Sequence, residues 1–339
     1  MDPKQITEWA FRLLLSYGEL SKEREFTPET LDLVAQRIQR IRAGLAPEIE
    51  FMAAVNWLSN VVVIHRLDQT PMPHYCNTEE VQQPDLLAIV RYEGRLVPVL
   101  IEVKTKDDSK LVWREDYLRG LLRYADIVQM PLLVAWKRWH VWALFEVSHF
   151  QKKVDAHHVD FNTAMRQTLM GTLFGDALVN VHERFQMFID AVTDEALPPD
   201  DALIPGARFR FTIQDAGFMI DKKKVKVSKE LSWIFHLAAA KDEVLRTGEH
   251  SIRMEFTPDS NSVFSLSHLW FEVATSGLKE QEPDWEEILR KPLPISIGDV
   301  RRELSEGMES GIVSHVAIIA PNTMPNFLTA LNLTGGSGG

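Results

Sequence analysis

The spacing of hydrophobic and polar positions changes several times along the chain, and each change marks a predicted element. In the N-terminal segment apolar residues recur every three or four positions, which predicts amphipathic helices. Short runs of Val, Ile and Leu follow and predict strands. The predicted helices are Gln5–Tyr17, Thr30–Ala43 and 48–58, and the predicted strands are 61–64, Leu86–Tyr92 and Leu96–Val103. Glu93-Gly94-Arg95 joins the last two strands and predicts a tight hairpin.

Beyond this hairpin the helical spacing returns once and is followed by a second pair of strands. The predicted elements are a helix over 115–129 and strands over 132–136 and 141–145. Because a sheet buries its apolar faces against helices, the order helix, three strands, helix and strands predicts a compact α/β core over about 47–150.

The C-terminal half has a different texture, in which shorter strands and helices alternate. Residues 162–194 predict helices, and Leu197-Pro198-Pro199-Asp200-Asp201 predicts a linker because two prolines cannot continue a helix. Further on, the pattern predicts strands at 209–213, 252–256 and 263–273 and helices at 228–246 and 297–308. We expect one domain over 1–198, a smaller α+β domain over 206–333 and a flexible tail over 334–339.

Composition narrows the class of protein. Among 339 residues, 37 Lys and Arg stand against 48 Asp and Glu, so the net charge of −11 excludes non-specific coating of nucleic acid by a basic surface. No run of 18 apolar residues occurs, and Asp2 and Glu8 interrupt the N-terminal apolar residues, so neither a membrane span nor a signal peptide is expected. Cys76, the single cysteine, excludes an intramolecular disulfide and predicts a cytoplasmic protein.

Two carboxylates and one lysine lie near the ends of the predicted hairpin strands. Glu102 and Lys104 are two positions apart on a strand, so their side chains share one face while Ile101 and Val103 point into the core. Asp85 opens the neighbouring strand, and antiparallel pairing brings it level with them. Charges at the rim of an apolar core cost stability unless they are paired, and a hard cation such as Mg²⁺ pairs well with carboxylate oxygens.

Pro84-Asp85 and Glu102-Val103-Lys104, placed on successive predicted strands, resemble the two elements of the PD-(D/E)XK nuclease superfamily. The resemblance covers about residues 47–145 and implies a restriction-endonuclease-like α-β-β-β-α-β core. It also implies that Asp85 and Glu102 hold Mg²⁺, for which Mn²⁺ can substitute, together with the backbone carbonyl of Val103. Lys104 would orient or help deprotonate the attacking water.

The two helices that flank these strands add candidates by the same resemblance. The upstream helix resembles the family's first helix, which often adds an acidic ligand, and Glu50 is the predicted one with Glu48 as the alternative. The downstream helix resembles one that faces the substrate, although Gly120 stands where a Gln is common. Residues 101–153 carry ten Lys and Arg against seven Asp and Glu, which favours a phosphate path here. The predicted nucleic-acid-binding residues are Lys106, Arg119, Arg123 and Tyr124.

The resemblance therefore implies a Mg²⁺-dependent endonuclease that hydrolyses phosphodiester bonds, with DNA favoured over RNA. By analogy with nucleases joined to unrelated C-terminal domains, we expect an effector of prokaryotic defence against phages and plasmids. Two alternatives stay open, a DNA repair or recombination nuclease and a non-cleaving nucleic-acid-binding scaffold. The C-terminal domain is expected to sense a ligand or bind a protein partner, and the sequence leaves the oligomeric state open.

Overall fold

The computed structural model describes residues 47–67, 81–154, 156–193, 211–259, 263–276, 285–290 and 293–333. Outside these residues lie the predicted helices Gln5–Tyr17 and Thr30–Ala43, the predicted linker 197–201 and the predicted tail 334–339. The described residues form mixed α/β structure with sheets at its centre. They divide into two compact units. Unit 1 comprises the described residues of Met1–Phe174, Glu282–Lys291 and Ala320–Gly339, and unit 2 comprises those of Gly175–Gln281 and Pro292–Ile319.

Unit 1 is built on a mixed five-stranded sheet. Up to Phe174 its helices and strands are α1 (47–57), β1 (Val61–Arg66), β2 (Leu86–Tyr92), β3 (Arg95–Thr105), β4 (Lys110–Arg114), α2 (Glu115–Val128), β5 (Leu132–Arg138), β6 (Val141–Glu146), β7 (Gln151–Lys153), β8 (Ala156–Asp160) and α3 (Phe161–Arg166). The strand order is β1-β2-β3-β5-β6, in which only β3 and β5 run parallel. A second small sheet has the order β4-β8-β7. The strands and the helix predicted between 61 and 145 are confirmed.

The β2–β3 hairpin forms as its turn predicts. Glu93 and Gly94 both have positive φ, 48° and 78°, which is the backbone that a two-residue hairpin turn requires. Pairing runs from Tyr92 opposite Arg95 to Leu86 opposite Ile101. Because β3 lies between β2 and β5, its central residues are buried on both faces. Glu102, the one acidic residue of this strand, is among the buried residues.

Helix α2 connects the two parallel strands β3 and β5. Its buried residues recur at helical spacing, Leu118, Leu121 and Ala125, and they pack on a core that includes Trp136 and Phe161. The rings of Trp136 and Phe161 meet edge to face with their centroids 4.9 Å apart. This packing holds the first turn of α2 against the sheet that carries the acidic residues.

Unit 2 is an α+β arrangement with two antiparallel sheets. Its helices and strands are β9 (Leu178–Val181), β10 (Phe185–Thr193), β11 (Phe211–Ile220), β12 (Lys223–Val225), α4 (Lys229–Ala238), β13 (Ala239–Gly248), β14 (Ser251–Pro258), β15 (Phe264–Ser265), α5 (Leu266–Thr275), α7 (Ile297–Glu309) and β16 (Val313–Ala317). The sheet orders are β12-β11-β10-β14-β13 and β15-β9-β16. Stacked and edge-on rings of Phe185, Phe218 and Phe235 join the larger sheet to α4. The helices α6 (Trp285–Arg290) and α8 (Asn326–Leu333) belong to unit 1.

The prediction of helices over 162–194 is wrong for most of that range. Within it only α3 is α-helical, a π-helical turn covers Met170–Phe174, and strands β9 and β10 follow with short irregular connections between these elements. The buried residues Phe185, Phe188 and Ala191 are spaced by three, which imitates the buried stripe of a helix. The register shift between Asp190 and Ala191 in the pairing with β11 leaves the extra residue, Gln214, on β11.

Two further predictions of unit 2 are corrected. The helix predicted over 228–246 ends at Ala238, because the chain continues as β13 in antiparallel pairing with β14. The strand predicted over 263–273 is instead β15 followed by α5. Ser265 caps this helix, since its Oγ accepts a hydrogen bond from the amide of His268 at 3.1 Å. The predicted helix at 297–308 and the predicted strand at 252–256 are confirmed.

In the part of the chain that the structure describes, no helix combines the length and the apolar character that a bilayer crossing requires.

Candidate metal centre

Asp85 and Glu102 are brought together by the register of the β2–β3 hairpin. Asp85 directly precedes β2, and Leu86 pairs with Ile101, so Asp85 lies beside Glu102. The amide of Val103 donates a hydrogen bond of 2.7 Å to Oδ2 of Asp85. This bond fixes the Asp85 carboxylate at the edge of β3.

Lys104 completes the trio that the sequence predicts. Its Nζ contacts Oε1 of Glu102 in an ion pair and lies 3.7 Å from Oδ2 of Asp85. The side chain of Glu102 is almost fully buried at 1% exposure, whereas that of Lys104 is 30% exposed. The structure therefore brings Asp85, Glu102 and Lys104 into one cluster, with the lysine on its solvent side.

A tyrosine from the first turn of α2 also reaches this cluster. The hydroxyl of Tyr117 donates a hydrogen bond to Oε1 of Glu102, the same oxygen that Lys104 contacts. The other oxygen, Oε2, is buried and has no hydrogen-bond partner among the described residues. A buried carboxylate oxygen without a partner is costly, and a hard divalent cation is a ligand that satisfies such an oxygen. The donor set therefore fits a divalent metal ion.

Glu48 of α1 is a third carboxylate in the electrostatic environment of the cluster. Its Oε2 lies 3.1 Å from Nε of Arg66 at the end of β1. Burial, followed by the charge of Asp85, raises the pKa of Glu48 to about 7, although the charge of Arg66 acts in the opposite direction. Burial and the charge of Asp85 likewise raise the pKa of Glu102 to about 7. The carboxylates therefore repel one another, as expected where a bound cation is to offset their charge.

Burial and nearby charges also shift the pKa values of the two hydrogen-bond donors, Lys104 and Tyr117. Burial alone would lower the pKa of Lys104, but the nearby charges of Glu102 and Asp85 outweigh it and raise this pKa. Burial and the charge of Glu102 raise the pKa of Tyr117. Both side chains therefore keep their protons near neutral pH and act as donors.

Glu50, the predicted additional ligand, lies in a different environment. Lys137 Nζ is 2.6 Å from Oε1 and 2.7 Å from Oε2 of Glu50, and both side chains are buried. Residues two apart on a helix point about 200° away from each other, so α1 cannot direct Glu48 and Glu50 to one place. The structure thus does not bring Glu50 to Asp85 and Glu102, and Glu48 is the acid of α1 that interacts with them.

The predicted nucleic-acid-binding residues lie on or near α2, and their roles stay predictions. Lys106 follows β3 and pairs with Asp108 at 2.9 Å. Arg119 and Arg123 are exposed on α2, and Tyr124 is half-buried against the core. The carbonyl of Val103 as a metal ligand also stays a prediction.

Gly120 has a packing role on the same helix. A Cβ at this position would lie 2.8 Å from Cβ of Gln82, which is too close for two carbon atoms. The segment that leads into Pro84-Asp85 therefore packs directly on α2, and a Gln at position 120 would displace it.

Tyr117 is the site residue that sequence reasoning missed. Tyr117 and Tyr124 are seven residues apart and hence lie on one face of α2. That spacing could have identified Tyr117, because it lies in the first turn of α2 and is therefore nearer than Tyr124 to the end of β3.

Comparisons with known proteins agree with this geometry. The family described as archaeal Holliday junction resolvase (Hjc) matches residues 76–175, which include Asp85, Glu102, Lys104 and Tyr117. No curated protein matches the chain. The solved structure of Hjc from the archaeal hyperthermophile Archaeoglobus fulgidus, a Holliday junction resolvase, is similar over 31% of this chain and 81% of its own. The sequence identity is 19% and the TM-score is 0.25.

Proposed function

Because residues 76–175 belong to the PD-(D/E)XK nuclease superfamily, as their motifs predicted, we propose that the chain is a divalent-metal-dependent DNA endonuclease. The observation that carries the proposal is the buried Oε2 of Glu102, which lacks a hydrogen-bond partner among the described residues and lies in a cluster with Asp85 and Lys104. A purely structural cluster would use all its buried oxygens in hydrogen bonds or ion pairs.

The residues divide the chemistry among them. Asp85 and Glu102 would hold Mg²⁺ or Mn²⁺, with Glu48 as a further acid at the same place. When bound, such a cation lowers the pKa of a coordinated water and offsets negative charge that develops on the phosphate. Lys104, on the solvent side of the cluster, orients the attacking water and offsets charge beside the phosphate.

Branched DNA is the proposed substrate. The matched family is named for the resolution of Holliday junctions, which supports the repair or recombination alternative that the sequence left open. The expected role in antiviral defence, the protein partner of the C-terminal domain and the cytoplasmic location stay predictions.

The test is cleavage of matched substrates by the purified full-length chain. We expect a four-way junction to be cut in preference to linear duplex, single-stranded DNA and RNA of the same sequences, with Mg²⁺ and not with EDTA. Asp85→Ala and Glu102→Ala should each abolish cutting, because each removes a carboxylate ligand.

Glu93→Gln is the matched control, since Glu93 is an exposed acid at the opposite end of the same hairpin. It should cut at the parental rate. Metal-dependent cutting by either alanine variant at the parental rate would contradict the site, and equal cutting of all DNA forms would contradict the proposed preference for junctions.

A further inference from the structure

Two donors converge on one oxygen of Glu102. Lys104 reaches Oε1 from the same strand, and Tyr117 reaches it from the first turn of α2. Since both donors use Oε1, Oε2 is the oxygen left for another ligand. The contacts within the protein therefore determine that Oε2, and not Oε1, of Glu102 is available to a cation.

The two donors differ in how firmly they are held. Lys104 has a flexible side chain that is 30% exposed. The ring of Tyr117 meets Trp113 edge to face, with centroids 5.5 Å apart, and Trp113 is buried and stacked on Phe150 at 4.6 Å. The hydroxyl of Tyr117 is thus fixed by packed rings, whereas the ammonium group of Lys104 can move.

We propose that Tyr117 is a positioning residue that orients the Glu102 carboxylate for the metal ion. The inference rests on the proposed nuclease function. The ammonium group of Lys104 has three N–H donors on a mobile side chain, so its contact with Oε1 of Glu102 can loosen when it turns toward a water molecule. With Tyr117 in place, the carboxylate keeps its orientation when Lys104 moves to the water. Outer residues that orient a ligand in this way typically contribute roughly 10–100-fold to metal affinity.

The decisive experiment compares Tyr117→Phe with Lys104→Ala in the full chain, by calorimetric titration with Mn²⁺ in the absence of DNA. Tyr117→Phe removes only the hydroxyl and keeps the ring against Trp113, so we expect Mn²⁺ affinity to fall roughly 10–100-fold. Lys104→Ala removes a positive charge from the cluster, so we expect affinity to stay the same or to rise. If these hydrogen bonds to Glu102 merely supported the fold, Tyr117→Phe and Lys104→Ala would both lower the affinity for Mn²⁺.

Cleavage provides a second measurement. In Tyr117→Phe, the Mn²⁺ concentration that gives half-maximal cutting should rise by the same factor as the dissociation constant, and cutting should recover at high Mn²⁺. Lys104→Ala should not recover. Tyr92→Phe is the matched control, because Tyr92 lies at the turn end of β2 and its hydroxyl is remote from Asp85 along the strand. It should bind Mn²⁺ with the parental affinity.

The outcomes separate this inference from the proposed function. Parental Mn²⁺ affinity in Tyr117→Phe, or an equal loss in Lys104→Ala, overturns the role of Tyr117 and leaves the nuclease proposal standing. Mn²⁺ binding that survives Asp85→Ala combined with Glu102→Ala overturns the proposed site itself. If circular dichroism shows that Tyr117→Phe is not folded, Tyr117 is a structural residue and the inference is also overturned.

Discussion

Unit 1 contains two buried glutamates that each pair with a lysine, and the two pairs are built differently. Glu50 of α1 uses both carboxylate oxygens on Lys137 of β5, at 2.6 and 2.7 Å. Glu102 of β3 contacts Lys104 through Oε1, and its Oε2 lacks a hydrogen-bond partner among the described residues. Each glutamate thus has one buried oxygen without a hydrogen bond, but Oε1 of Glu50 lies 2.6 Å from Nζ of Lys137, whereas Oε2 of Glu102 belongs to a cluster with a second carboxylate, Asp85.

The charges that surround the two glutamates also differ. The charge of Lys137 counteracts the rise that burial causes in the pKa of Glu50. At Glu102 the charge of Lys104 also counteracts burial, but the charge of Asp85 adds to the effect of burial and has no counterpart at Glu50 among the causes of its shift. The comparison teaches that burial of a Glu–Lys pair does not by itself indicate a functional site. An unused oxygen beside a second carboxylate is the more specific sign.

Breaking the Glu50–Lys137 pair should have the largest effect on stability. Glu50→Gln removes the charge that compensates buried Lys137, so we expect the free energy of unfolding to fall by about 3–5 kcal/mol. Glu102→Gln instead relieves repulsion with Asp85, and the metal-free protein should be as stable as the parent or more stable. Urea unfolding in EDTA measures both. An equal loss of stability in the two variants would remove the contrast between the pairs.

The second prediction concerns the lysines and activity. Lys104→Ala should lower the cleavage rate at saturating Mg²⁺ by roughly 10²–10³-fold, the scale for one group that stabilises charge in a transition state. Lys152→Ala, which removes an exposed lysine paired with Glu115, is the control and should cut normally. Junction cleavage under single-turnover conditions checks this. Normal cutting by Lys104→Ala would place its pair in the same structural class as Glu50–Lys137.

The third prediction is a pH dependence of stability in the metal-free protein. The pKa of Glu48 and that of Glu102 are both raised, from 4.5 to about 7 in the folded chain, so the folded state keeps protons that the unfolded state has released. The stability contributed by these groups is therefore present below pH 4.5 and is lost as the pH rises through about 7. Each group contributes a slope of at most about 1.4 kcal/mol per pH unit.

Thermal unfolding in EDTA between pH 4.5 and 8 tests this slope. Glu102→Gln should flatten it, because the neutral amide does not titrate. A parallel profile in the parent and in Glu102→Gln would show that Glu102 is ionised with an ordinary pKa in the folded protein. It would then resemble an exposed carboxylate more than a candidate ligand.

Local sequence patterns were sufficient to predict the strands of the five-stranded sheet of unit 1. They failed where pairing with a strand that is distant in sequence determines the structure. Gly94 between two apolar runs announced the β2–β3 hairpin, because glycine adopts the positive φ that such a turn requires at no steric cost. By contrast, the stretch after Ala238 became β13 only because β14 pairs with it, and no local pattern contains that partner. In α5, buried Leu266, Leu269 and Trp270 do follow helical spacing, and the cap at Ser265 was a readable signal that the apolar content of the segment obscured.

The candidate site shows the same division. Strand alternation and the register of the hairpin were enough to predict from the sequence that Asp85, Glu102 and Lys104 lie close together, as they do. The rotation of α1, which directs Glu48 and not Glu50 to them, is set by the contact between Glu50 and Lys137. Those two residues are 87 positions apart in the chain. Sequence periodicity gives the faces of a helix but not which face meets the site.

The parallel pairing of β3 with β5 has a consequence for the order in which the chain folds. The β2–β3 hairpin closes through a two-residue turn, whereas Glu102 can face Val134 only after all of α2 has been spanned. Short-range contacts cost less chain entropy and form sooner. A chain emerging during synthesis therefore presents Asp85 and Glu102 as two ordinary, hydrated carboxylates on a hairpin. The burial that raises the pKa of Glu102 arises only when α2 and β5 dock, so a misfolded chain that stops at the hairpin carries the acids of the site without this environment.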